Sequence, residues 1–292
     1  MSTPLPDWLR ALYPFEPKRF DTGRGIMSYV DEGTGDEAVV MVHGNPTWSF
    51  YYRNLVIGLR GKIRCIVPDH LGCGLSDKPQ DFNYTLGEHI KNLRGLLDSL
   101  NLRKIHLIVH DWGGPIGLGT ALLKPDQLGR VVILNTAAFA DTVVPWRIRL
   151  CRAPVIGEWL VRGFNGFAWP ATSMAVVRPL PSDVKRAYLY PYNSWANRIA
   201  THRFVVDIPS GRGSASDQAL AGIEAKLSVL RERPVLILWG GRDFCFNRHY
   251  YDRWRELLPT AATRYFEEAG HYVLEDESNG CLWKISAHLT AE

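Results

Sequence analysis

The chain has little cysteine, no long apolar run and almost no excess charge, and each absence removes a class of protein. Its five cysteines (Cys65, Cys73, Cys151, Cys245, Cys281) are odd in number and show no C-x-x-C spacing. That argues against a disulfide scaffold or a thiolate metal site and fits reduced, mostly packed thiols. No run approaches the roughly 18 apolar residues a membrane span needs. Lys and Arg number 34 against 30 Asp and Glu, a formal charge of +4, too little to imply a nucleic-acid partner. Met1 to Asp7 lacks a basic start followed by an apolar core. No secretory leader is expected, and a cytoplasmic location is. There is no internal repeat, metal-ligating cluster or nucleotide-binding loop, so no cofactor is expected.

What is present is the material of a folded α/β protein. At 292 residues, 46% hydrophobic and 22% charged, the chain can bury one large core or a core with an inserted unit. Short apolar runs alternate with helical patterns, which predicts a mostly parallel sheet with helices on both faces. Strands are expected near Ile26–Asp31, Ala38–Val42, Ile63–Val67, Ile105–Val109, Val131–Leu134, Val235–Trp239 and Thr263–Phe266, with Lys18–Asp21 as an edge strand. Helices are expected over Ser49–Leu59, Leu86–Leu100, Pro115–Lys124, Ser216–Arg231, Arg248–Leu258 and Glu277–Leu289. The alternation stops after Asn135. From 136 to 209 the sequence is rich in aromatics, Pro and Arg, with nine Lys or Arg and four Asp or Glu, a balance of +5. This predicts a core of 1–135 and 210–292 carrying a helical cap of 136–209, whose aromatics are mostly core but partly line a pocket at the seam.

The run Lys104-Ile-His-Leu-Ile-Val-His-Asp-Trp-Gly-Gly114 is a strand that stops abruptly and continues as a helix. Such a turn is the nucleophile elbow of an α/β-hydrolase, which usually presents Ser in a G-x-S-x-G setting. Here Asp111 holds that position. A carboxylate displaces a leaving group from saturated carbon and leaves an alkyl ester on the enzyme. Asp111 could instead be a helix-capping aspartate, but three further features surround it. His43-Gly44-Asn45-Pro46-Thr47-Trp48 follows a strand, where this fold builds its oxyanion hole. A backbone N–H there, with that of Trp112, would hold the carbonyl oxygen of Asp111. His271, in Ala269-Gly270-His271-Tyr272 after the last strand, stands where the base belongs. Asp243, in Trp239-Gly240-Gly241-Arg242-Asp243, ends the strand before it and would orient His271. The rival acid site after the sixth strand holds Asn135 and Thr136, which cannot replace a carboxylate, leaving Asp141 as an alternative. His43 is read as loop support, and Asp69 and Asp77 as turn residues.

Together, His-Gly-Asn-Pro-Thr-Trp, Pro68-Asp-His-Leu-Gly-Cys-Gly-Leu-Ser-Asp-Lys-Pro79, His-Asp-Trp-Gly-Gly, Trp-Gly-Gly-Arg-Asp and Ala-Gly-His-Tyr resemble the haloalkane dehalogenases over nearly the whole chain. An acid after the penultimate strand, with Asn45 and Trp112 at the anion-clamp positions, resembles their third subfamily. Within it, the opening Leu5–Pro17 and the run Ser194–Pro209 look most like the β-lactone decarboxylases of bacterial olefin biosynthesis. The resemblance implies that Asn45 and Trp112 donate to a departing anion, sensible for an amide and an indole in a dry pocket. It also implies a hydrophobic small-molecule substrate, with other enzymes of olefin biosynthesis as possible partners.

By that resemblance Asp111 would open a long-chain cis-β-lactone to an alkyl-enzyme ester, and loss of CO₂ would release a cis-alkene. In a dehalogenase, His271 would instead activate water to hydrolyse the ester. Two rivals stand beside these readings. An epoxide hydrolase would use tyrosines such as Tyr188, Tyr190 or Tyr192, but usually carries an aromatic residue at the position of Asn45. A non-enzymatic receptor on the same fold would not need the full catalytic set. The apolar, Arg-interspersed stretch Val143–Phe167 fits a packed cap helix, or one that touches a membrane or partner enzymes.

Overall fold

A computed structural model describes residues 4–141, 144–211 and 213–291. Val143, where the apolar stretch begins, lies outside them, as do Met1 to Thr3. The eight strands are β1 (Lys18–Asp21), β2 (Ile26–Glu32), β3 (Glu37–Val42), β4 (Arg64–Pro68), β5 (Lys104–Val109), β6 (Leu128–Leu134), β7 (Val235–Gly240) and β8 (Ala262–Phe266). They form one sheet in the order β1-β2-β4-β3-β5-β6-β7-β8. β1, β2 and β4 pair antiparallel, and every pair from β4 onward is parallel.

The strand sequences explain their places. β3, β5 and β7 are runs of Val, Ile and Leu buried on both faces, as interior parallel strands must be. β1 (Lys-Arg-Phe-Asp) is charged and largely exposed, which keeps a sheet edge from pairing further. Alternate residues feed two cores. Val40, Val42, Leu107 and Val109 point one way, and Val39, Met41 and Ile108 the other. The helices α1 (Asp7–Leu12), α2 (Arg53–Leu59), α3 (Leu86–Ser99) and α4 (Gly113–Ala121) pack on these faces. The second core takes Leu9 of α1 and Leu55 of α2; the first takes Leu93 of α3 and Ile116 of α4.

Between β6 and the later core helices the described residues carry no strand. They form α5 (Trp146–Cys151), α6 (Ile156–Glu158), a π-turn at Trp159–Gly163, α7 (Ala168–Met174), α8 (Ser182–Leu189) and α9 (Ile199–Val206). The chain then returns to the sheet through α10 (Ala215–Glu224), α11 (Arg248–Leu257), α12 (Val273–Asp276) and α13 (Ser278–Thr290). No helix among the described residues is long and apolar enough to cross a membrane.

Several boundaries differ from the sequence reading. Ser49–Tyr52 is a 3-10 turn ahead of α2 rather than part of it, and α10 ends at Glu224 with a separate 3-10 turn at Leu227–Glu232. α4 begins at Gly113, two residues before the expected Pro115, because Gly113 and Gly114 sit against β3 and Thr136 where no larger residue fits. α1 carries no usable periodicity, being a single short turn with Leu9 as its one buried residue.

Candidate active site

The site lies beyond the carboxyl ends of the parallel strands, where open α/β sheets place their ligands. The sharp turn after β5 puts Asp111 at φ +52°. A non-glycine residue in that region is strained, and such strain persists only where the surroundings over-determine it. Here they do. Asp111 N–H donates to Asn135 O at 3.0 Å, its carbonyl accepts from Gly114 N–H at 2.9 Å, and Thr136 Oγ1 donates to the same carbonyl. Two glycines make the approach possible. A Cβ on Gly44 would fall 2.1 Å from Asp111 Oδ1, and one on Gly113 would fall 1.9 Å from Val42 O.

The turned carboxylate meets the loop after β3. Asn45 N–H donates to Asp111 Oδ1 at 2.6 Å, and the Trp112 N–H also bonds this carboxylate. Burial pushes the Asp111 carboxyl above the ordinary range, opposed by the charge of His271 and by those two N–H groups.

His271 stands between two acids. Its Nδ1 is 2.6 Å from Asp243 Oδ2, and its Nε2 is 3.7 Å from Asp111 Oδ2. Burial alone would lower its pKa, but the charge and hydrogen bond of Asp243, with the charge of Asp111, outweigh that and raise it. Asp243 is itself fixed. Oδ1 accepts from Cys245 N–H at 2.7 Å and Phe246 N–H at 3.0 Å, while Oδ2 accepts from Asn135 Nδ2 at 3.0 Å. The Phe246 ring lies nearly parallel to the His271 imidazole, 19° apart.

Two supports of the site do not stand out in the sequence. Asn135 cannot be an acid, yet its amide holds Asp243 and both N and O of Gly240, and its carbonyl holds the Asp111 N–H. It ties Asp111 and Asp243 into one frame, and its place directly after β6 is the available signal. His110, fully buried, places Nε2 2.9 Å from the His271 carbonyl and its ring 4.4 Å from that imidazole. Desolvation, then the neighbouring His271, holds its pKa well below the usual value.

The other candidates take structural places. Asp141 pairs with His249 Nε2 at 2.7 Å, not with His271. His43 bonds Gly44 O and the His70 N–H, supporting its loop. Asp69 accepts from Ser49 and Leu75 N–H groups, and burial raises it to about 6. Asp77 caps Ile26 N–H. Asn45 and Trp112 are both buried and face the cavity. Asn45 Nδ2 donates to Thr201 O of α9 at 3.1 Å, so one amide hydrogen joins the loop to the overlying helices while Oδ1 has no partner.

These groups open into a cavity of ≈ 380 Å³ whose lining includes Asn45, Asp111, Trp112 and His271. Its walls are mostly apolar, with Ile148, Leu160, Phe167 and Val205 contributed from above and Leu220 from below. Tyr188, Tyr190 and Tyr192 do not line it. Tyr188 donates to Glu275, Tyr192 to Thr47 O, and Tyr190 packs edge-on against Trp8.

Comparison with known proteins gives the family of the chain. The family model for the α/β-hydrolase fold matches residues 37–278. The chain is 47% identical over 289 residues to the cis-3-alkyl-4-alkyloxetan-2-one decarboxylase of Shewanella oneidensis, covering 97% of this chain and 91% of that protein. It is 46% identical to the protein of the same name from Xanthomonas campestris pv. campestris, covering 95% and 97%. Haloalkane dehalogenase 2 of Mycobacterium tuberculosis is 33% identical, covering 91% and 92%. The crystal structure of haloalkane dehalogenase DbeA from Bradyrhizobium elkani shares the fold with a TM-score of 0.84 at 23% identity, over 94% and 97% of the two chains. The chain belongs to the α/β-hydrolase family, in the group that holds the oxetanone decarboxylases and, at greater distance, the haloalkane dehalogenases.

Proposed function

We propose that this enzyme is a β-lactone decarboxylase that converts long-chain cis-β-lactones (3,4-dialkyloxetan-2-ones) to cis-alkenes and CO₂ in hydrocarbon biosynthesis. We further propose that 136–209 acts as a cap over a core of 1–135 and 210–292. The observation that carries the reading is a largely enclosed Asp111 carboxylate facing an apolar cavity, in a chain 47% identical to an oxetanone decarboxylase.

The chemistry balances without water or cofactor. Asp111 Oδ2, the oxygen facing His271, attacks the ring carbon that bears the lactone oxygen, inverting it. That carbon–oxygen bond breaks, leaving an alkyl ester on Asp111 and a carboxylate on the neighbouring carbon. The electron pair of the bond to the carboxylate then forms the alkene, CO₂ departs, and Asp111 leaves as a carboxylate. Inversion followed by anti elimination carries a cis ring to a cis-alkene. In this scheme Asn45 and Trp112 stabilise the opened carboxylate, Asp243 orients His271, and cationic His271 stabilises Asp111 as it departs. In the hydrolytic alternative, haloalkane dehalogenation, the same His271 serves as base for a water. The epoxide hydrolase reading loses the three tyrosines offered for it, since none of Tyr188, Tyr190 and Tyr192 lines the cavity. We place the enzyme in the cytoplasm, with other olefin-pathway enzymes as candidate partners.

The test is product identity. Incubation with a cis-β-lactone is expected to give alkene by gas chromatography–mass spectrometry; a β-hydroxy acid in its place would assign a hydrolase.

A further inference from the structure

The walls of the cavity have a second side. Cys151, Leu160, Phe167 and Ala171 face inward from α5, the π-turn and α7. The same stretch turns Val155, Ile156, Trp159, Phe164 and Trp169 outward, each between 59% and 78% exposed. None of those five lines the cavity. So many large apolar side chains between Val155 and Trp169 is unusual for a surface that faces only water. Val155 is also at φ +62°, costly for a β-branched residue, and its side chain is 70% exposed. Trp146, Leu150 and Met174 line the cavity while remaining 39–64% exposed, so they form its mouth within this surface.

The charges beside this surface select its occupant. Residues 144–178 hold five arginines and one acid, Glu158, which is engaged by Arg162 at 2.6 Å. Arg147 and Arg149 have no carboxylate within ion-pair distance among the described residues; Arg147 lies over the Trp146 ring at 5.3 Å. Exposed Trp and Phe interleaved with unpaired Arg is the composition of a surface that lies in a membrane interface, with rings at headgroup depth and guanidinium groups on lipid phosphate. A second copy of the chain fits poorly, because a two-fold contact pairs the face with itself and its one acid, Glu158, is already engaged by Arg162, leaving no carboxylate for Arg147 and Arg149.

We propose that this face docks on an anionic lipid bilayer with the cavity mouth turned toward the acyl chains. Docking stands on the surface alone. Its use rests on the decarboxylase reading: a cavity of ≈ 380 Å³ is at the small end of the roughly 300–1,000 Å³ of ligand sites. A lactone with two long chains would extend past the mouth, and its alkene product partitions into lipid.

The test is co-sedimentation of the full chain, without substrate, with phosphatidylcholine vesicles and with vesicles that also contain phosphatidylglycerol. The protein should sediment with the second set, less so at high salt. The combined variant Ile156→Ser, Phe164→Ser, Trp169→Ser should lower its partition about tenfold while keeping its unfolding temperature and its turnover of a short-chain soluble lactone. Wild-type protein that stays in the supernatant with both vesicles would overturn the proposal, as would a variant that binds equally well. A concentration-dependent dimer that the same substitutions dissolve would give the face to a second copy instead. None of these results bears on whether the soluble lactone is decarboxylated.

Discussion

His271 Nε2 lies 3.7 Å from Asp111 Oδ2, just beyond hydrogen-bond reach, while the opposite ring nitrogen is held at 2.6 Å by Asp243. At that distance the imidazolium acts on Asp111 through charge without being bonded to it. The arrangement suits a carboxylate that must attack carbon and later depart. It also leaves His271 free to reach a water, so geometry alone serves two reactions, and the predictions are chosen to separate them.

In the decarboxylation scheme no oxygen from water enters the enzyme. After many turnovers in H₂¹⁸O, the peptide containing Asp111 should keep its natural mass. Hydrolysis of the alkyl ester would place ¹⁸O in the Asp111 carboxylate, and peptide mass spectrometry reads the difference directly.

The two routes also differ in pH dependence. His271 has a raised pKa, so it stays protonated to higher pH than a free imidazole, whose value is about 6.5. A hydrolase that needs it neutral slows as pH falls through that raised value. Decarboxylation needs no base and should hold its rate there. On the acid side it should fail only at lower pH, when Asp111 takes up a proton, and burial places that limb above the ordinary carboxylate value of about 4. A kcat profile is expected with an acidic limb from Asp111 and a decline once pH rises past the raised His271 value, where the stabilising cation is lost; a rate that instead rises through that value would point to general-base catalysis.

Asn135→Ala keeps the backbone carbonyl that holds the Asp111 N–H but removes the amide that holds Asp243 and Gly240, so it should loosen the Asp243 side of the site. We expect kcat to fall on the order of tenfold with little change in KM. The pH at which His271 loses its proton, and with it the high-pH decline, should also move, because the Asp243–His271 pair loses a donor. A loss of stability with an unchanged pH profile would make Asn135 a packing residue only.

Arg53 and Glu275 form a buried pair at 2.5 and 3.0 Å, and Tyr188 of α8 donates to the same carboxylate. Burial disfavours the Arg53 charge, but the Glu275 hydrogen bond and charge outweigh that and raise its pKa. Glu275→Gln leaves the cation buried without its partner, which should cost about 3 kcal/mol. Denaturant unfolding checks it; a change under 1 kcal/mol would mean the pair contributes little.

Much of the site is legible in the sequence because its signals are local. A strand that ends in His-Asp-Trp-Gly-Gly can only continue into a helix through a tight turn, and Asp111 is at φ +52° for that reason. Asn45, Asp243 and His271 follow strand ends in the same way. The features that escape a sequence reading depend on long-range approach. The bond from Asn135 to Asp243 spans 108 positions, and that from Asn45 to Thr201 spans 156. Tyr188, Tyr190 and Tyr192 look equivalent in sequence, yet packing turns all three away from the cavity. The Trp and Phe side chains of the stretch from α5 to α7 read as core by composition alone, whereas several point outward. A short, irregular helix has too few turns for periodicity to reveal its buried face.

The central claim is that Asp111 opens the lactone ring. The most direct measurement is alkene formed from one cis-β-lactone by the wild-type enzyme and by Asp111→Ala, against a heat-only control. The account predicts cis-alkene from the wild type and a loss on the order of 10⁴-fold in the variant, with its unfolding temperature retained. Alkene formed by the variant at a rate near that of the wild type would contradict it.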